Sequence, residues 1–79
     1  MKWIKIKDKL PDENQTVWAC NPVTEHIDLA CLIYEDDGWL WAISNGFIYS
    51  KDGKIVSECE CDDDYDFTHW MELPDLPKK

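Results

Sequence analysis

Residues 38–44, GWLWAIS, constrain the fold of this chain more than any other segment, because they combine a two-residue apolar period with turn signals at both ends. Trp39 and Trp41 fall on one face of such a strand and Leu40 falls on the other, so both faces are apolar. An Asp-Gly pair precedes the segment and an Asn-Gly pair follows it, and such pairs are typical of tight hairpin turns. The pattern predicts the central strand of a small antiparallel sheet, with a neighbouring strand folded back on each side.

Further strands are predicted wherever apolar residues alternate between turn signals. These segments are residues 3–7, 16–20, 27–34, 47–50, 54–61 and 67–74. No comparable stretch has a helical period, and consecutive hairpins form a meander. The sequence therefore predicts a mostly β fold, a small single-domain antiparallel β-meander over residues 1–79, in which residues 75–79 are a frayed tail.

The charge of the chain limits its partners. It carries 17 acidic residues against eight lysines and no arginine, which gives a formal net charge of −9. This balance repels DNA, RNA and anionic membrane surfaces, and it attracts a basic protein surface. We therefore expect no direct nucleic-acid binding and no membrane binding. Solubility alone is the simpler explanation of the charge.

Two acidic runs are the candidate partner-binding residues. No calcium-binding loop fits them, because the glycine and glutamate that an EF-hand requires are missing. They form either a solvated surface or a patch that docks onto a basic protein surface, and regularly placed carboxylates could also imitate a DNA backbone. The candidates are Glu35, Asp36, Asp37, Glu58, Glu60, Asp62, Asp63, Asp64 and Asp66.

The four cysteines are the alternative site, because thiolates are zinc ligands. Cys59 and Cys61 are separated by one residue, so on a strand their side chains share one face about 7 Å apart. Cys31 lies in an apolar pattern and is expected to be a buried thiol. Together with Cys20, and with two histidines elsewhere in the chain, they could form a small zinc-binding structural module. No cofactor other than zinc is suggested.

Catalysis is not predicted. A cysteine and a histidine could in principle form a nucleophilic pair, but no nucleophile elbow or oxyanion-hole motif places them together. His69 is expected to be a structural histidine, and His26 is expected to lie in a loop. We therefore expect a protein that is not an enzyme.

The two ends of the chain resemble the DUF551 family of small proteins, which are found mostly in bacteriophages and prophages. The similarity lies in WI at 3–4, KDKLP at 7–11 and Gln15 at the start, and in THWM at 68–71 and LP at 73–74 at the end. The molecular function of that family is unknown, so the resemblance implies a source and a fold but no activity. The extra cysteines and the acidic run after residue 57 depart from the usual pattern.

A packing reason explains why both end motifs occur together. If the N- and C-terminal segments pack together in the sheet, Trp3 and Trp70 could cover one edge of the core, with Leu10 and Leu73 beneath them. The opening residues lack the continuous apolar core of a signal peptide, and no run approaches the ~18 apolar residues of a membrane span. We therefore expect a location in the cytoplasm of the bacterial host cell.

These observations predict a non-enzymatic phage or prophage accessory protein that binds a host or phage protein through an acidic face, as an inhibitor or DNA mimic. The alternative is the zinc-binding module, and an inert structural piece of a larger assembly is a third interpretation.

Overall fold

A computed structural model describes residues 2–35, 38–61 and 66–77, which form a single sheet of six strands. The sheet order is β1-β6-β2-β3-β4-β5, and every neighbouring pair is antiparallel. No helix in the described ranges is long and apolar enough to cross a membrane. The strands are β1 Ile4–Lys5, β2 Val17–Asn21, β3 His26–Glu35, β4 Gly38–Lys51, β5 Lys54–Cys61 and β6 His69–Glu72.

The order of the strands confirms the predicted architecture. Strands β2 to β5 follow one another as a meander, and β6 then crosses to the other side of β2, where it also pairs with β1. Ile4 of β1 lies opposite Trp70 of β6, so the N- and C-terminal segments do pack together. The mostly β fold is confirmed.

The core lies on one face of this sheet. Side chains directly opposite each other on paired strands share a face, so the register groups Ala19, Ala30 and Ile43 on the same face as Trp70. Phe67, which precedes β6, packs onto this group and is itself buried. Burying these apolar groups away from water is the main stabilising contribution in such a small domain.

Strand β4 is not central, as the sequence suggested, but second from the edge of the sheet. The prediction that it is covered on both faces is confirmed at its middle, where the consecutive residues Ala42 and Ile43 are both buried. Trp39, near the start of the strand, is exposed. The alternating pattern identifies a strand. It does not give the position of that strand in the sheet, because every predicted strand is flanked by turns.

The predicted hairpin at Asn45-Gly46 is wrong. The chain continues through these residues as one strand of 14 residues, and the register with β5 shifts between Ser44 and Ile48. Gly46 has a φ of 96°, and the backbone nitrogen of Phe47 donates a hydrogen bond of 3.0 Å to Oδ1 of Asn45. Both a β-bulge and a tight hairpin turn need a residue with positive φ, and an Asn-Gly pair can supply it for either. In this chain the pair forms a bulge, so it bends the strand instead of reversing it.

The bend brings the far end of the β4–β5 hairpin back to the start of β2. The backbone nitrogen of Ser57 donates to Oγ1 of Thr16 at 3.2 Å. The tail is attached to the same hairpin, because Leu76 donates its backbone hydrogen to Gly53 and Lys54 Nζ lies 3.0 Å from Asp75 Oδ1. The sheet is therefore curled, and the tail is held at residues 75–76.

Two side chains of the end motifs do not pack as predicted. Trp70 is buried, but Trp3 and Leu10 are exposed, so they do not cover the edge of the core. The carbonyl oxygen of Lys9, and not the side chain of Leu10, contacts the indole nitrogen of Trp70.

The prediction that His26 lies in a loop is also wrong, since His26 is the first residue of β3.

Candidate functional site

The acidic candidates that the structure describes are all on the surface. Glu35, Glu58, Glu60 and Asp66 are exposed, and among the described residues none of these four carboxylates forms an ion pair. The other acidic candidates lie outside the described residues; they are Asp36, Asp37, Asp62, Asp63 and Asp64. Four unpaired negative charges are therefore available to an outside partner.

Glu35 and Asp66, the first and last acidic candidates that the structure describes, lie near opposite ends of β3. Glu35 is the last residue of that strand. The carbonyl oxygen of Asp66 accepts a hydrogen bond of 2.6 Å from Nδ2 of Asn21, and Asn21 lies opposite His26, the first residue of β3. With the usual rise per residue, the ends of this strand are about 30 Å apart. That distance exceeds the Debye length of ~8 Å at physiological ionic strength, so the two regions act as separate charges.

Glu58 and Glu60 lie between these ends, on β5 at the edge of the sheet. Glu60 is opposite Ile43 of β4, and Glu58 is two residues away on the same side of β5. Charged side chains on an edge strand discourage pairing with a second strand of like charge. This edge therefore disfavours pairing with a second copy of the same acidic strand.

An exposed aromatic pair, which the sequence analysis did not name, lies at the end of the β3–β4 hairpin beside the predicted acidic candidates. Tyr34 and Trp39 are opposite each other, with ring centroids 5.0 Å apart and planes at 66°. Their exposed fractions are 49% and 47%. Two large aromatic groups left half open to water, beside Glu35, are the kind of surface that dominates protein interfaces. In the sequence, the acidic turn between Tyr34 and Trp39 was the signal that these two residues lie at an exposed end of their strands.

A second exposed pair provides a contrast. The rings of Phe47 and Tyr49 are 5.9 Å apart, and these residues are 58% and 41% exposed. This pair lies in the second half of β4, where Lys51 is opposite Lys54. Its surroundings are balanced in charge, because Lys54 is paired with Asp75 and Asp52 lies in the turn, whereas Tyr34 is followed directly by the exposed Glu35.

Cys31, Cys59 and Cys61 lie on β3 and β5, on either side of the same part of β4, and Cys20 is separate from them on β2. Cys31 is buried, as predicted, and the thiol of Cys59 shares a hydrogen bond with it. Burial raises the pKa of the Cys59 thiol to about 12, and the neighbouring Cys31 adds to the rise. Cys61 is placed opposite Ala42 by its backbone, while Cys20 lies on β2. Within the described ranges, no three His, Cys, Asp or Glu side chains are grouped so that they could hold a metal ion.

One cysteine and one histidine are closer than the sequence suggested. The register places Cys20 of β2 directly opposite His69 of β6. The Nδ1 atom of His69 lies 2.7 Å from Oγ1 of Thr68, and burial raises the pKa of the Cys20 thiol. A catalytic cysteine requires a lowered pKa, because the thiolate is the nucleophile. The shift of the Cys20 pKa is in the opposite direction.

A cleft of about 320 Å³ lies between the curled hairpin and the closing segment. It brings together Gln15 and the Leu73-Pro74 pair, which belong to the two end motifs. Lys54 and Asp75, which also line the cleft, are paired with each other. The cleft thus lies where residues of both end motifs face the hairpin.

Comparison with known proteins gave one finding. A family model described as "Protein of unknown function (DUF551)" matches residues 2–78. The comparisons with curated proteins and with solved structures gave no match.

Proposed function

Since the chain belongs to the DUF551 family, whose function is unknown, we propose from its surface chemistry that it is a non-enzymatic accessory protein of a phage or prophage that docks onto a basic surface of a host or phage protein. The docking surface consists of the exposed carboxylates on β3, β5 and the segment before β6.

The observation that supports this proposal is the unpaired state of Glu35, Glu58, Glu60 and Asp66. All four are exposed, and none of them has a lysine partner within the described part of the chain. If these charges only stabilised the fold, pairing some of them with lysines would increase the stability, although each exposed pair contributes only about 0–1 kcal/mol. Unpaired charges of one sign attract an oppositely charged partner over a distance and accelerate its association.

The lysines are distributed so that the surface has a direction. Four of the eight lysines occur within residues 2–9, next to β1. Strand β1 and the acidic strand β5 form opposite edges of the sheet. A basic partner is therefore attracted to the β5 edge and repelled from the β1 edge, whereas Asp66 precedes β6, the strand that pairs with β1.

The partner proposed here carries a basic surface, as proteins that bind nucleic acids do. Occupying such a surface would exclude the nucleic acid, so the protein would act as an inhibitor or a DNA mimic in the cytoplasm of a bacterial host. Two separated acidic regions, and not one continuous run, would contact the partner.

Capture of partners from bacterial lysate with two variants of equal charge tests this proposal. The docking variant carries Glu35→Gln, Glu58→Gln, Glu60→Gln and Asp66→Asn. The control variant carries Asp8→Asn, Glu25→Gln, Asp52→Asn and Glu72→Gln, which are also exposed. Each variant loses four negative charges from the net charge of −9 and becomes −5.

We expect the wild type and the control variant to retain the same basic partner at low ionic strength, and the docking variant to lose it. Raising the ionic strength from about 0.01 M to about 1 M shortens the Debye length from ~30 Å to ~3 Å and should release the partner. Equal loss in both variants would mean that net charge alone causes the binding, which contradicts a defined docking surface.

A further inference from the structure

We infer that the Tyr34–Trp39 pair receives an arginine side chain from an extended basic segment of the protein partner. This inference rests on the proposed docking function, and it adds the residue type that the partner presents. The pair lies across β3 and β4 at the end of their hairpin, with both rings about half exposed.

The arrangement of the two rings suits a flat cation. Their planes meet at 66° with the centroids 5.0 Å apart, so the two rings form a corner. An arginine guanidinium is planar, stacks on aromatic faces and is more weakly hydrated than a lysine ammonium. A cation within about 6 Å of a ring centroid is attracted by the negative charge of the ring face.

One carboxylate lies on the face of the sheet that carries the aromatic corner. Glu35 follows Tyr34 directly and is exposed, but adjacent strand residues point to opposite faces, so Glu35 lies on the other face. Glu13 is also exposed and forms an isolated bridge with Leu32, two residues before Tyr34. A guanidinium can stack on a ring and donate two parallel hydrogen bonds to a carboxylate, which a lysine cannot do.

The second exposed pair shows why charge selects this one. Phe47 and Tyr49 offer a similar aromatic surface, but Lys51 and Lys54 lie opposite each other at the end of the same hairpin. Lys54 is paired with Asp75, and Asp52 lies in the turn between the two lysines, so the local charges balance and give no net attraction to an incoming cation. The pair at Tyr34 and Trp39, which has the exposed Glu13 bridged to the neighbouring Leu32, therefore matches an arginine better in both shape and charge.

Packing of the sheet does not account for the Tyr34–Trp39 pair. The next pair along the strands, Leu32 and Trp41, already closes this part of the core, where Trp41 contacts Phe67 with ring centroids 5.5 Å apart. Tyr34 and Trp39 extend beyond that contact toward the end of the hairpin. Their contribution to stability is that of an exposed cross-strand pair.

The test measures binding of two labelled peptides of equal length and charge, one of alternating Gly and Arg and the other of alternating Gly and Lys. Fluorescence anisotropy at low ionic strength gives the dissociation constant of each peptide for the wild type and for Trp39→Leu, Tyr34→Leu and the control Phe47→Leu. Circular dichroism checks that each variant keeps the fold of the wild type. Leucine keeps an apolar side chain on the strand while it removes the ring.

For the wild type we expect the Arg peptide to bind about two- to fivefold more tightly than the Lys peptide, as an exposed cation–π contact allows. Trp39→Leu and Tyr34→Leu should bind both peptides equally, at the wild-type affinity for the Lys peptide. Phe47→Leu should keep the wild-type preference. If Trp39→Leu and Tyr34→Leu keep the preference for arginine, or if Phe47→Leu loses it as well, the inference is wrong while the docking function stands. If the wild type binds neither peptide, both are wrong.

Discussion

The indole nitrogen of Trp70 donates a hydrogen bond of 2.8 Å to the carbonyl oxygen of Lys9. This bond joins the two ends of the chain, which carry the two end motifs. Trp70 is 2% exposed and lies opposite both Ile4 and Ala19, so it is surrounded by strands β1 and β2. The motif residues thus meet at one buried indole group.

Replacing this indole group should destabilise the fold strongly. We expect Trp70→Ala to lower the free energy of unfolding by ~3–5 kcal/mol, the usual range for a buried aromatic group. Trp41→Ala removes an indole that is only half-buried, and we expect a smaller loss of about 1–3 kcal/mol. Urea denaturation of the two variants measures both values. A loss below about 1 kcal/mol for Trp70→Ala would contradict its place in the core.

The bulge in β4 predicts a specific requirement for glycine. Gly46 has a φ of 96°, and a Cβ atom there would meet no other atom within 4 Å. Gly46→Ala should therefore cost about 1–2 kcal/mol through backbone strain alone. Gly38→Ala is the matched control, because the φ of Gly38 is not positive and its new Cβ would lie 3.8 Å from the carbonyl oxygen of Glu35, an ordinary contact. Thermal unfolding of both variants compares them, and equal losses would argue against the bulge.

The Cys59 thiol predicts a loss of stability at high pH. Burial and the neighbouring Cys31 raise its pKa from 9.0 to about 12, so the unfolded chain releases this proton before the folded chain does. The contribution of the protonated Cys59 thiol to the free energy of unfolding is fully present below pH 9. It is lost as the pH rises toward the pKa of this thiol in the folded state, because the unfolded state binds fewer protons in that range. Unfolding by urea across this range should show a shallower fall for Cys59→Ala than for the wild type. Parallel curves would mean that this thiol is not buried as described.

The cysteines also define the experiment on zinc. We expect protein purified without added metal to contain no stoichiometric zinc and to keep its melting temperature in the presence of a chelator. Elemental analysis and thermal unfolding measure the two properties. Bound zinc together with chelator-induced unfolding would favour the zinc-binding module, because a structural zinc site contributes directly to folding. In that case Cys20→Ser and Cys31→Ser would identify the ligands.

The sequence predicted the strands well because alternation and turn residues are local signals. The segments beginning near Val17, His26 and Lys54 became strands close to their predicted limits. Strand order depends on contacts between distant residues, which no local pattern contains. The placement of β6 beside β2, and of β4 second from the edge, therefore appeared only in the structure.

The errors have a common physical cause. Asn45-Gly46 supplies a positive φ, but whether the chain then reverses or bends depends on what β5 pairs with, and β5 pairs on both sides of the bulge. The exposure of Trp39 was missed for a similar reason, since an apolar residue on a strand is buried only where another segment covers it. Phe67 contacts Trp41, whereas Trp39 is left 47% exposed.

The candidate surface was predictable in its charge and not in its shape. The sequence alone identified Glu35 and Glu58 as acidic candidates, and net charge requires no structure. The separation of Glu35 from Asp66 along β3, and the pairing of Tyr34 with Trp39, depend on the register between strands. Register is set by side-chain packing across the whole sheet.

The role of the acidic surface is tested most directly by carbodiimide cross-linking in bacterial lysate, which joins a carboxylate to a lysine amine in direct contact with it. Mass spectrometry then identifies the carboxylates that are linked to the partner. We expect links at Glu35, Glu58, Glu60 or Asp66, and we expect them to disappear at high ionic strength. Links confined to Asp8, Glu25 or Glu72, or a partner joined through the lysines of residues 2–9, would contradict docking through the acidic surface.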